Sequence, residues 1–152
     1  MILVSACLAG RPVRYDGTDR LHLKVQQLIH EHKAIAICPE LLAGLPTPRS
    51  PAEIVGGDGY AVLAGTAQVI DQSGRDVTEQ YIQGAYSALA IAQKYHATHV
   101  VLKENSPSCG SQQIYDGSFF GIRVDGVGVT TALLRQHGIL VLSEKQLSQL
   151  AE

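Results

Sequence analysis

Three cysteines, Cys7, Cys38 and Cys109, are the residues of this chain best suited to chemistry. Each stands just past a short apolar run: residues 2–6, 34–37 and 98–102. Runs of that length and composition read as buried strands. If the strands are parallel neighbours, all three thiols converge on one crevice at their carboxyl ends, where α/β sheets hold ligands. Each thiol also has Gly or Pro nearby (Gly10, Pro39, Pro107, Gly110). Inert core cysteines are the plainer reading, since free Cys is often buried. The coincidence of all three at strand ends argues against it. Three thiolates without an adjacent His form a soft donor set, suited to zinc or to an iron–sulfur cluster. Structural zinc takes a fourth protein ligand, usually with paired C-x-x-C spacing, and no such pair exists here. A set of three leaves one metal position open, as a catalytic site requires. Spacing alone does not choose between zinc and a cluster.

Other polar residues gather around these positions. Glu40 follows Cys38 by two residues, across Pro39, and beside a metal it can act as general acid or base; alone it would be an ordinary loop carboxylate. The segment from Lys103 through Glu104, Asn105, Ser106, Pro107 and Ser108 to Cys109 is dense in polar groups directly after an apolar run. Ser106 and Ser108 can bond a substrate or a sulfur, or relay a proton, although Ser and Pro also favour plain turns. Lys103 can offer positive charge to an anionic intermediate, or simply sit in water at a strand end. Asp125-Gly126-Val127-Gly128 leads into a helix whose first N–H groups can receive an anion. It lacks the third glycine of a dinucleotide fingerprint. The six histidines fall in or beside expected helices without ligand spacing.

The elements that must position these residues alternate. Residues 20–32 read as a helix, with Leu21, Val25, Leu28 and Ile29 on one face. Residues 60–70 are β-prone with an interruption at Gly65, which suggests a hairpin. Residues 76–96 form the clearest helix, opened by a capping-box-like pair, Asp76 and Glu79. Its inner face carries Val77, Tyr81, Ala85, Ala88 and Ala92. A helix over 130–137 stopped by Gly138, a strand over 139–142 and a helix over 144–150 complete the chain. Strands alternating with helices predict an α/β chain: a three-layer Rossmann-like fold with a mostly parallel sheet and a small hairpin. The Pro/Gly-rich stretch 39–59 reads as a long functional loop, not a boundary, so residues 1–152 are expected to form one domain.

Bulk properties narrow the function. A chain of 152 residues can bury roughly two thirds of its unfolded surface. A net charge of -2 offers no basic footprint for phosphates, so nucleic acid is not an expected partner. The start MILVSACLAG has no basic n-region, and no apolar run approaches membrane-spanning length. The expected compartment is the cytoplasm, where thiols stay reduced.

Several motifs then resemble a known family. Ser5-Ala6-Cys7-Leu8-Ala9-Gly10, Arg14-Tyr15-Asp16-Gly17, Cys38-Pro39-Glu40, Gly44-Leu45-Pro46-Thr47-Pro48-Arg49, Pro51-Ala52-Glu53, Ser106-Pro107-Ser108-Cys109-Gly110 and Ile114-Tyr115-Asp116-Gly117 are similar, in order, to those of the thiouracil desulfidases. Ala9 stands where many relatives have Leu. The resemblance implies an oxygen-sensitive [4Fe-4S] cluster on Cys7, Cys38 and Cys109, with the fourth iron left to bind substrate sulfur. It implies non-redox replacement of a thiocarbonyl sulfur by oxygen from water. The family's acidic and serine catalytic residues map onto Glu40 and Ser106, with Ser108 in the same motif. Ser108 and Lys103 are the expected substrate contacts. Longer relatives act on thiolated tRNA; here the expected substrate is a small thiolated base or nucleoside. Two rival readings are an iron–sulfur protein that carries sulfide without turnover and a zinc-stabilised structural domain.

Overall fold

The computed structural model describes residues 1–12, 14–17 and 22–146. In chain order the elements are β1 (Ile2–Ser5), α1 (Leu23–His30), β2 (Ala34–Ile37), α2 (Pro39–Leu42), β3 (Ala52–Val55) and α3 (Gly59–Leu63). There follow β4 (Gln68–Asp71), α4 (Thr78–Lys94), β5 (His99–Leu102), β6 (Gln113–Tyr115), β7 (Arg123–Asp125), α5 (Val129–Gln136) and β8 (Leu140–Ser143).

Four of the strands make a parallel sheet in the order β2-β1-β5-β8. Ile2 of β1 pairs with Ala34 on one side and His99 on the other, so the three strand ends that precede the cysteines lie side by side. Pleating sends alternate residues to opposite faces. Leu3, Val100 and Leu102 join α4 and α5 in the larger core. Val4 and Val101 join Val25 and Leu28 of α1 in the smaller one. Helices therefore cover both faces, and the α/β, mostly parallel three-layer architecture is the one the alternation implied. An eight-residue helix such as α1 is marginal alone; burial of Val25 and Leu28, ~1.5–3 kcal/mol each, holds it.

The hairpin expected over 60–70 forms differently. Residues 59–63 are helical, because Asp58 Oδ1 accepts the Ala61 N–H at 3.2 Å and caps a helical turn. The antiparallel partner of β4 is β3, outside the expected segment, with Ala52 opposite Asp71. Gly59 permits α3 to press on the start of α5: a Cβ there would lie 2.1 Å from Gly128 O. The capping box expected at the start of α4 does not form among the described residues: the N-cap is Val77, without a side-chain bond, and Asp76 Oδ1 instead makes a local turn by accepting the Thr78 N–H at 2.9 Å. Arg20 and Leu21, expected in the first helix, lie outside the described residues, as do residues 147–150 of the last; residues 144–146 form a 3-10 turn. The antiparallel ribbon β6–β7 was not anticipated.

Candidate metal centre

The three thiols reach one cavity by three local routes. β1 ends in a 3-10 turn, Ala6–Ala9, that carries Cys7 and is closed by Gly10 at φ 93. Cys38 is the extended N-cap residue of α2, with Pro39 in the first turn. The nearby backbone N–H groups of Leu41 and Glu40 favour the Cys38 thiolate. Cys109 closes the loop after β5, organised by the buried Glu104 carboxylate. Its Oε1 accepts the N–H groups of Ser111, Asn105 and Gln112 at 2.7, 3.1 and 3.2 Å, and its Oε2 accepts the Ser111 hydroxyl at 3.0 Å. Burial pushes that carboxyl up, but these backbone bonds outweigh it and hold the group below its usual range.

The resulting cavity, about 410 Å³, is lined by Cys7, Cys38 and Cys109 together with Glu40, Lys103 and Ser106. Burial raises all three thiols: Cys7 to about 11, with the charge of Cys38 adding and Arg14 and Lys103 opposing. Cys38 rises for the same first reason, and Cys109 rises well beyond the ordinary thiol range through burial and then the Glu40 charge. Buried thiols of this kind are inert at neutral pH. They become thiolates only where a cation compensates, so the set fits a soft metal group better than a free nucleophile. Among the described residues no three Cys, His, Asp or Glu side chains close on a single ion. What the structure offers is three soft thiol donors lining one cavity, a donor set of the type that holds an iron–sulfur cluster.

Glu40 is held from one side. Its Oε2 accepts Arg49 Nε at 2.9 Å and the Tyr81 hydroxyl at 3.1 Å. Both partners are nearly buried, Arg49 with 7% of its side chain exposed and Tyr81 at 4%. Burial, then the Glu40 charge, pushes the Tyr81 phenol well above its usual range, so it stays protonated and donates. Among the described residues Oε1 of Glu40 has no donor, and Glu40 lines the cavity. Gly84, one turn along α4 from Tyr81, makes this contact reachable. A Cβ there would lie 2.2 Å from Pro39 O, so only glycine lets α4 approach α2 so closely. Gly84→Ala is expected to lower stability by ~1–3 kcal/mol through overpacking. It should also slow turnover by parting Glu40 from Tyr81; denaturant unfolding and steady-state rates read the two effects.

The remaining expected residues divide. Ser106 lines the cavity, and its Oγ accepts the Cys109 N–H at 2.7 Å and the Ser108 N–H at 3.2 Å. Lys103 also lines it, paired with Glu144 Oε2 at 3.2 Å. Ser108 is 1% exposed, faces Thr130 Oγ1 at 2.8 Å and lies behind the cavity wall, with its hydroxyl near the Cys109 sulfur. The N-terminus of α5 does not offer its N–H groups to an anion. Val129 N–H bonds to Pro107 O at 2.8 Å and Thr130 N–H to Ser108 O at 2.9 Å, so the cysteine loop consumes them. Sequence reasoning missed Arg49 and Tyr81 as site residues. The signals present were Arg49 at the end of the Gly44–Arg49 motif and a polar-tipped Tyr on a helix face otherwise made of Val77 and alanines.

Fold and site together define a three-layer α/β protein with a three-thiol pocket at the carboxyl edge of its parallel sheet. The chain belongs to the 2-thiouracil desulfurase family, whose model matches residues 2–146. It is 53% identical over 150 residues, 99% of each chain, to the uncharacterized protein YbbK of Bacillus subtilis (strain 168). It is also similar to the solved structure of a [4Fe-4S]-dependent thiouracil desulfidase, TudS, at 47% identity and a TM-score of 0.87, covering 99% of this chain and 94% of that one.

Proposed function

We propose that this chain is a [4Fe-4S]-dependent desulfidase that replaces the sulfur of a thiouracil-like base or nucleoside with oxygen from water. The observation that carries it is the meeting of three strand-end thiols and a clamped carboxylate in one cavity. Cys7, Cys38 and Cys109 would hold the cluster, which when bound supplies a soft Lewis-acidic iron for the thiocarbonyl sulfur.

The chain's own residues do the rest. Arg49 and Tyr81 fix Glu40 through Oε2, leaving Oε1 to take a proton from the attacking water. The water oxygen bonds to the thiocarbonyl carbon as the C–S bond breaks. Ser106, on the cavity wall, passes a proton to the substrate or stabilises the charge as sulfur leaves. Lys103 adds positive charge near the departing sulfide. Thiocarbonyl and water become carbonyl and hydrogen sulfide, so no electrons are exchanged. A small substrate suits a cavity of about 410 Å³, and the charge of -2 gives no reason to invoke nucleic acid. No helix of the described residues is long and apolar enough to cross a membrane; a cytoplasmic setting, where thiols stay reduced, completes the proposal.

The test is anaerobic turnover of 2-thiouracil by reconstituted protein in labelled water. Uracil and sulfide should form in equal amounts, with the label in uracil and no reductant consumed. Product formation that tracks an electron donor, or unlabelled uracil, would rule out the hydrolytic mechanism. Sulfide retained without turnover would leave only a carrier.

A further inference from the structure

Two motifs outside this chemistry, Pro51-Ala52-Glu53 and Ile114-Tyr115-Asp116-Gly117, meet beside the cavity. Glu53, on β3, reaches across to the loop between β6 and β7. Its Oε1 accepts the Gly117 N–H at 2.9 Å and the Phe119 N–H at 3.2 Å. Gly117 rests against β3 at φ 93, and a Cβ there would lie 2.6 Å from Ile54 O; conformation and space both require glycine. Asp116 Oδ1 tightens the turn by accepting the Ser118 N–H at 2.9 Å.

This clasp holds Phe119 at φ 62, a left-handed conformation that is an outlier for a bulky residue. The next residue, Phe120, is 83% exposed. Phe119 instead is half-buried and lines the cavity that holds the three thiols, beside Tyr115 and Gly121. A strained aromatic residue persists where the surrounding structure over-determines it, and such positions cluster at ligand clamps. Nothing in the water-replacing chemistry needs this ring; a flat substrate does.

We propose that Phe119, set by Glu53 and Gly117, is the stacking platform for the planar heterocyclic ring of the substrate. The site is thereby specific for thiolated aromatic bases over thioamides in general. This rests on the desulfidase reading above.

The probes are 2-thiouracil and its 5,6-dihydro derivative, which keeps the thiocarbonyl between two nitrogens but loses the flat aromatic ring. The variants are Phe119→Asn, which favours the left-handed backbone but has no ring, and Phe119→Tyr, which keeps the ring. Phe119→Asn should raise KM for 2-thiouracil by about 5- to 150-fold, the usual range for removing a base–aromatic stack. The kcat, the iron and sulfide content and KM for the dihydro compound should hold near wild type. Phe119→Tyr should match wild type, and uracil affinity by calorimetry should fall with Phe119→Asn alone. An Asn variant that keeps its 2-thiouracil KM, or weakens both substrates equally, overturns the proposal. A wild-type protein that turns over neither substrate strikes the desulfidase reading instead, and the uracil calorimetry still scores the platform.

Discussion

Glu40→Ala will keep iron and sulfide near wild-type levels in the reconstituted protein while turnover falls by about 100-fold or more, the usual size of a general acid–base contribution. The carboxylate is not needed to build the pocket. It stands in the first turn of α2, whose N-cap is already fixed by Cys38 and Pro39. What the variant removes is the Glu40 carboxylate, whose Oε1 has no donor among the described residues. Its anchors should matter less than the group they anchor: Tyr81→Phe deletes a single hydrogen bond to a charged group and is expected to cost about tenfold. That loss should vanish in the Glu40→Ala background, because Tyr81 acts through Glu40. Cluster-loaded Glu40→Ala protein with unchanged turnover would remove Glu40 from the mechanism.

Alanine at Cys7, Cys38 or Cys109, one at a time, will abolish both the brown colour and the activity. Each cysteine follows a different strand of one sheet, and each lines the same cavity. A cluster with three protein ligands has none to spare, so removing one thiolate leaves only two protein bonds to hold it. The substitution is small and apolar, so far-ultraviolet dichroism should stay at wild-type shape. Absorbance, iron and sulfide assays separate ligand loss from unfolding. If two of the three variants stay coloured and active, the ligand set is wrong.

The parts of the fold legible in the sequence are those where both faces of an element are buried. β1, β2 and β5 read as unbroken apolar runs because helices cover both sides of the sheet. β7 was invisible because all three of its residues are exposed, which leaves no alternation to detect. α3 was misread because Tyr60 and Val62 favour strands, whereas the Asp58 cap and the fit of Gly59 against α5 decide for helix. In the site, the cysteines stood out because each follows its strand closely in the chain. Arg49 and Tyr81 did not, since their meeting with Glu40 depends on how α4 packs on α2. Ser108 and Ser106 look alike in sequence; only the turn shows that one faces Thr130 and the other the cavity.

The strand order has a consequence for how the protein matures. β1 lies between β2 and β5, so Cys7 acquires its neighbours only after two long-range parallel pairings have formed, one of them to a strand near residue 100. Such pairings form late, because closing long loops is costly before contacts reward it. No two of the thiols are close enough along the chain to chelate iron while it is unfolded. The scaffold must therefore be complete before the metal arrives. A zinc finger inverts that order, since its metal drives the folding. If Cys7, Cys38 and Cys109 hold the cluster, this order predicts a folded apo-protein, which far-ultraviolet dichroism of the metal-free form would show.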